Sequence, residues 1–303
     1  MTAPTSSESP HKLLWAGVYH ELLRHAIPDS RFNYDFLRFT PDFRGSAGAV
    51  DRVVELPCYK NAKTLLVTSD NSLEGLRYRA LKDGKKLLVG TYRLRRGFVA
   101  LDPERIGDGR LELAACLDGM EKPGIGRTIS LAQLQDEGIQ IDMCALGGLV
   151  FNEHGVTVWE GQALFEVQWA MLQDLNVLCT TIPVIAMVHD CQVIDEAQYG
   201  VETIKPDNHG EVQCDYIVTP ERVLNVEGAV KPTGGVDFKN VDQEALNNVP
   251  PLQELKGIRM MQEIMSSNGF GAKREQEEER KTPSAEEQMG IDIVERLMKD
   301  LKR

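Results

Sequence analysis

The sequence predicts an α/β protein, a three-layer α/β/α sandwich built on a mixed sheet, and three observations carry that prediction. Residues 62–91 alternate strand, helix, strand. Residues 139–151, 183–189 and 215–219 are apolar on both faces, as strands covered by helices on two sides must be. The run at 139–151 ends in Asn152-Glu153-His154-Gly155, a hairpin-like return that requires an antiparallel member in the sheet.

The elements follow in chain order. Residues 11–25 read as a helix, with Leu14, Val18, Leu22 and His25 near helical spacing, and Pro28 ends it. Thr40-Pro41-Asp42-Phe43-Arg44-Gly45 is irregular, and a short helix runs from Ser46 toward Leu56. Strand 62–68 leads to helix 72–82, with Ser72 as N-cap and Gly84 as stop, and then to strand 85–91. A long helix over 161–176 follows the hairpin, before the strands at 183–189 and 215–219. Residues 1–10 are polar and expected to be disordered, and 11–256 form the α/β domain. Residues 257–281 read as a helical extension and a linker, since 273–281 are nearly all charged and cannot bury enough apolar surface to order themselves. Residues 282–303 read as an amphipathic helix with Met289, Ile293, Val294, Leu297, Met298 and Leu301 along one face. That helix docks either on its own body or on a protein partner.

A net charge of −12 repels phosphate backbones and anionic lipids, so neither nucleic acid nor membrane is an expected partner. The 6 cysteines contain no C-x-x-C pair, which predicts a reducing, cytoplasmic setting without disulfides or zinc. No phosphate-binding loop, zinc-protease or nucleophile-elbow motif is present.

What carries functional information is a resemblance spread over several segments. Asp70-Asn71-Ser72-Leu73-Glu74-Gly75-Leu76-Arg77, then Gly84-Lys85-Lys86-Leu87-Leu88-Val89 and Arg93-Leu94, then Ile141-Asp142-Met143-Cys144-Ala145-Leu146-Gly147-Gly148, Val188-His189-Asp190-Cys191-Gln192-Val193 and Asp215-Tyr216-Ile217-Val218-Thr219-Pro220 together resemble the 5-formyltetrahydrofolate cyclo-ligase family. The resemblance implies a NagB/RpiA/CoA-transferase-like fold, a folate-like or other cyclic small-molecule ligand, and, in active members, ATP- and magnesium-dependent ring closure. Phosphoryl transfer is catalysed mainly by positioning and charge, so cations and bare amides should surround the triphosphate.

This sequence departs from that requirement. Where the family has a loop of the type Gly-basic-Gly-x-Gly-Tyr opening a helix, it reads Trp159-Glu160-Gly161-Gln162-Ala163-Leu164-Phe165-Glu166. An anion about 4 Å from a phosphate turns roughly 1 to 4 kcal/mol of attraction into repulsion, and a side chain such as Ala163 is expected to strain a backbone that wants positive φ. The family's N-terminal arginine is replaced in the register His11 or Lys12, Trp15, Tyr19, and its Pro-x-Pro-Arg-Leu turn has become Gly90-Thr91-Tyr92-Arg93-Leu94.

The resulting expectations place His189, Glu166 and Arg93 in catalysis, and Lys12, Gly161 and Trp159 at the former cofactor position. Arg77, Trp169 and Asp190 are placed at the substrate, with no metal ligands. Each has a structural counter-reading: a solvent-facing turn arginine for Arg93, an ion pair for Arg77, helix-dipole stabilisation for Glu166, a satisfied strand-capping residue for His189, and core packing for Trp169. Three functions stay open: a diverged protein binding a cyclic metabolite, with no nucleotide cofactor, that carries out an ATP-independent cyclisation or dehydration; an ATP- and magnesium-dependent cyclo-ligase with a rebuilt phosphate site; and a non-catalytic protein acting through 282–303.

Overall fold

The computed structural model describes residues 10–179, 181–206, 210–241 and 243–267. Their strands are β1 (Ala26–Ile27), β2 (Asp42–Phe43), β3 (Thr64–Val67), β4 (Lys86–Gly90), β5 (Phe98–Leu101), β6 (Arg127–Ile129), β7 (Met143–Leu146), β8 (Val150–Asn152), β9 (Thr157–Trp159), β10 (Val184–Met187), β11 (Val193–Ile194), β12 (Tyr216–Val218) and β13 (Val223–Asn225). Eight of them form one sheet in the order β13-β12-β10-β7-β3-β4-β5-β6. The central five run parallel, β13 and β5 run antiparallel to them, and β6, paired antiparallel with β5, runs with them, which makes the sheet mixed.

The chain leaves β3 toward β4 on one side and leaves β7 toward β10 on the other. Because crossovers between parallel strands are right-handed, the two connecting helices, Glu74–Lys82 and Phe165–Asp174, must cover opposite faces. The side chains agree. Leu65, Val67, Leu87, Val89, Met143, Ala145, Ile185 and Met187 share one buried cluster with Val53, Leu76, Ala80 and Ala114 from the helices of that face. Their alternates Leu66, Leu88, Cys144, Leu146, Val184 and Ala186 are buried as well, so both faces of the sheet are covered and the sandwich has three layers. A second cluster joins Leu14, Val18 and Leu22 of the helix Pro10–His25 to Val150 and Val158 of the small sheet β11-β8-β9.

Several boundaries differ from the sequence expectation for local reasons. The apolar run 139–151 is two strands in two sheets, broken where Gly147 passes so close to the turn after β3 that an added Cβ would lie 2.7 Å from Ser72 Oγ. The helix expected from 161 starts at Phe165, because residues 160–164 form a loop whose last member, Leu164, is left-handed with φ 54°. It ends with Asn176 at φ 56°, the left-handed stop expected of asparagine. Ser72 is not an N-cap: it lies inside a single 3₁₀ turn, Asn71–Leu73, and the α-helix begins at Glu74 without a side-chain cap. His189 and Asp190 lie beyond β10, where His189 caps the 3₁₀ turn Asp190–Gln192. Segment 92–138, unassigned from sequence, supplies β5, β6 and four short helices.

The helix Pro250–Ser267 bears Leu252 and Leu255 as buried residues of the body. The expected disorder of 1–10, apart from Pro10 at the helix start, and the expected linker and amphipathic helix beyond Ser267 lie outside the described residues. Among those described, no helix is long and apolar enough to cross a membrane.

Candidate functional site

The strand order reverses direction between β3 and β7, and open α/β sheets bind ligands outside the carboxyl ends of the strands at such a switch point. What stands there is Asp70, 5% exposed. One carboxylate oxygen, Oδ2, accepts from the Thr68 hydroxyl and from the Gly147 backbone N–H at 3.0 Å. The other, Oδ1, faces Gly161: a Cβ added to Gly161 would lie 3.6 Å from it and only 2.0 Å from Thr40 Oγ1. Gly161 is therefore required by space, and a Gly161→Ala variant is expected to force Thr40 aside and lose about 1–3 kcal/mol of stability in urea unfolding.

Arg77 holds this arrangement from below. Its fully buried guanidinium donates to the carbonyls of Ala115 (2.8 Å), Thr68 (2.8 Å) and Asp70 (3.0 Å), so it fastens the backbone that presents the Asp70 carboxylate. Burial drives its pKa down, against the fields of Glu74 and Asp70. Nη2 of Arg77, Ser72 Oγ and Thr40 Oγ1 are buried without hydrogen-bond partners. Native interiors rarely leave such groups unpaired, and of the three residues Thr40 lines the cleft beside Asp70.

Thr40, Ser69, Asp70, Asn71, Tyr92 and Gln162 are among the residues lining the cleft, which in this conformation holds about 10 Å³ of free space, room for roughly one water. Its cover is the segment 29–40. Four bonds pin it: Asn71 Nδ2 to Asp29 (2.7 Å), Asn71 N to Thr40 O (3.2 Å), Tyr92 Oη to Arg38 O (2.8 Å) and Gln162 Nε2 to Leu37 O (2.7 Å). A ligand larger than water enters only by displacing this cover, in the manner of an active-site lid.

Next to Gly161 in the chain, Glu160 Oε1 accepts the Phe165 N–H at 2.6 Å, so a carboxylate of the chain itself caps the first turn of the helix Phe165–Asp174. Burial first, then repulsion from Glu166 and Asp70, pushes the Glu160 carboxyl up to about 7, with the Phe165 bond opposing. Glu166 stands half-buried in the same turn, and no group of three or more His, Cys, Asp or Glu able to hold a metal exists among the described residues. The positive φ expected at Ala163 falls on Leu164 instead; the strain is real but sits one residue later.

The two indoles expected to stand at the nucleotide position meet each other. Trp15, from the N-terminal helix, stacks on Trp159, from the end of β9, with centroids 6.0 Å apart and planes 18° from parallel. A double-mutant cycle with Trp15→Leu and Trp159→Leu should return a coupling of about 0.5–1.5 kcal/mol. Trp159 therefore packs against the N-terminal helix, which leaves closure of the loop to Glu160. Lys12 is exposed one turn earlier on that helix.

The other expected residues are dispersed. Trp169 is fully buried and donates Nε1–H to Pro232 O at 3.3 Å, deep in the packing of the second face. Arg93 is exposed in the turn after β4, where it and Leu94 both have positive φ, 53° and 54°. His189 and Asp190 follow β10, separated from Asp70 by β7. The His189 ring stacks on His25 at 4.1 Å, and Asp190 accepts from the Thr219 hydroxyl. Burial and the neighbouring His25 lower the His189 pKa. A His189 that resists protonation when folded adds stability above its unfolded pKa near 6.5, and that stability is lost as pH falls through the lower folded value. His25→Ala should move the His189 titration upward in an NMR pH series. The sequence did not single out Asp70 or Thr40 as site residues, and it marked Glu160 only as an anion that repels phosphate. Asp70 carried one available signal, since it lies in a turn directly after a parallel strand.

A further cavity of about 680 Å³ opens at the opposite, amino ends of β3 and β4, where its charged residues Lys86 and Arg127 are already paired with Asp102 and Glu137.

Fold and cleft together define an open α/β protein with a covered polar cleft at the switch point of its sheet. Residues 20–220 match the sequence profile of the 5-formyltetrahydrofolate cyclo-ligase family, and the chain belongs to that family. It is similar to the methenyltetrahydrofolate synthase domain-containing proteins of Mus musculus (28% identical over 247 residues, 79% of this chain and 64% of that protein) and Danio rerio (29% over 219 residues, 72% and 54%). The chain thus matches between about half and two-thirds of the length of these relatives. Among solved structures, an NMR structure of Aquifex aeolicus 5,10-methenyltetrahydrofolate synthetase matches with 15% identity and a TM-score of 0.41, covering 76% of this chain and 97% of that one.

Proposed function

We propose that this chain binds a folate-like cyclic metabolite in the cleft around Asp70 and does so without ATP. The observation that carries the reading is the bond from Phe165 N–H to Glu160. A helix N-terminus attracts anions through its free N–H groups and dipole, and here that demand is met internally. A phosphate arriving at the same amides would have to expel Glu160 and then face Glu166 and Asp70, whose fields already raise the Glu160 pKa.

The ligand's polar edge is supplied by Asp70 Oδ1 together with the unpartnered hydroxyl of Thr40. That set suits a ring bearing N–H donors beside an acceptor. Glu160, with a pKa near neutrality, exchanges a proton at working pH, as an ATP-independent cyclisation with loss of water requires of the group that protonates the departing oxygen. Calorimetric titration with 5-formyltetrahydrofolate in the absence of nucleotide tests the binding claim. Micromolar binding weakened about tenfold or more by Asp70→Asn is expected, a loss of roughly 1.4 kcal/mol. Equal affinity in the variant would place the ligand elsewhere.

A further inference from the structure

We propose that Trp15, Tyr19, Tyr34 and Phe36 form an aromatic box that binds a small quaternary ammonium cation, with Asp35 as its counter-charge. The box is a second site, sharing only Phe32 with the lining of the cleft around Asp70, and it does not rest on the ATP-free reading of that cleft.

The geometry comes from one helix and one loop. Trp15 and Tyr19 lie four residues apart on the helix Pro10–His25, so they project from one face of it. Opposite them, the loop after β1 turns back on itself: Asn33 has φ 57°, and backbone bonds join Asp29 to Asn33 and Asp35 to Phe32. This brings Tyr34, Asp35 and Phe36 beside the helix. A cavity of about 750 Å³ lies between the two.

The rings around it stand edge to face. Interplanar angles are 65° for Trp15 and Tyr19, 74° for Trp15 and Phe36, 66° for Tyr19 and Phe36, and 78° for Tyr34 and Phe36. With centroids 5.4–6.5 Å apart the rings pack edge to face on one another, Trp15 also stacks on Trp159, and the surface they leave uncovered lines the cavity. Phe36 is buried as the floor, Trp15 and Tyr19 are half-buried, and Tyr34 is 38% exposed at the rim.

Charge decides what such a box holds. No lysine or arginine lines the cavity, whose one carboxylate is Asp35, and the whole chain carries −12. Ring faces attract cations, best when the cation is weakly hydrated. The Phe32 ring, at the edge of the same cavity, already does this within the protein: Arg38 and Arg31 sit over it, 5.0 and 5.5 Å from its centroid. A primary ammonium would need three acceptors. A quaternary ammonium has no N–H to satisfy, needs only ring faces and a nearby carboxylate, and therefore fits a wall that is mostly aromatic.

The test titrates the full chain with choline and with its uncharged carbon isostere, 3,3-dimethylbutan-1-ol, following heat and tryptophan fluorescence. Choline is expected to bind saturably at millimolar or lower concentration and at least about tenfold more tightly than the isostere. Tyr34→Ala and Asp35→Asn, both at exposed positions, should each weaken choline severalfold while leaving the thermal midpoint in place. Equal binding of the two ligands would make the site an apolar groove and overturn the proposal. So would the absence of choline binding up to about 10 mM, or a Tyr34→Ala variant with unchanged affinity. An Asp70→Asn variant, which changes no residue of the box, binds choline as the parent does, which separates the fate of this site from that of the Asp70 cleft.

Discussion

An Arg77→Ala variant is expected to lose about 3–5 kcal/mol of stability, enough to bring many domains close to unfolding. Three carbonyls, those of Thr68, Asp70 and Ala115, would each lose a donor in a site closed to water. The vacated volume adds a cavity cost on top. Arg77→Lys restores charge but not the planar fork, and one ammonium cannot reach carbonyls spread over two loops as the guanidinium does, so most of the loss should persist. Urea denaturation reads it as a lower midpoint at unchanged slope. A loss below about 1 kcal/mol would mean that the turn after β3 holds its shape without the arginine.

The second large effect depends on pH. Glu160 ionises near 7 in the folded chain and near 4.5 when free. Below about 4.5 it is protonated in both states and contributes nothing. As pH rises through the interval up to 7, the unfolded chain releases this proton first, so stability falls. Above 7 the full difference is lost, at most about 3 kcal/mol for a shift of this size. Glu160→Gln keeps an oxygen to accept from Phe165 N–H and cannot ionise. It should therefore match the parent at pH 4, exceed it by about 1–3 kcal/mol at pH 8, and flatten this part of the stability profile. A variant less stable than the parent at pH 8 would show the carboxylate to be favourable where it stands, as it would be beside an unseen cation.

Much of the fold was legible because a sheet covered on both faces leaves a simple trace: β3, β4, β7, β10 and β12 each carry consecutive apolar residues that point to both faces. What escaped was set by contacts distant in sequence. Nothing local shows that 139–151 must break at Gly147; the break exists because that glycine crosses over Ser72 and Asp70, over 70 residues earlier. Arg77 reads in sequence as a substrate contact or an ion-pair member, because its partners are main-chain carbonyls, which leave no mark in a sequence. Trp15 and Trp159 could be recognised separately as departures from a family pattern, but only coordinates reveal that each fills the space beside the other. The cover over the cleft, 29–40, is irregular backbone held by side-chain bonds from three separate loops, so no periodicity could announce it. Glu160 was legible in sign and not in partner: its charge predicted repulsion of phosphate, while its bond to the helix N-terminus explains why the protein tolerates it.

The account turns on whether that helix end is still open to a nucleotide. Isothermal calorimetry of the full chain with ATP and magnesium, at pH 8 where Glu160 is ionised, decides it. The expected result is no saturable heat up to millimolar nucleotide, with folate binding unaffected by its presence. Micromolar, magnesium-dependent binding of ATP would contradict it, since Glu160 would then have to give up Phe165 N–H to a phosphate oxygen.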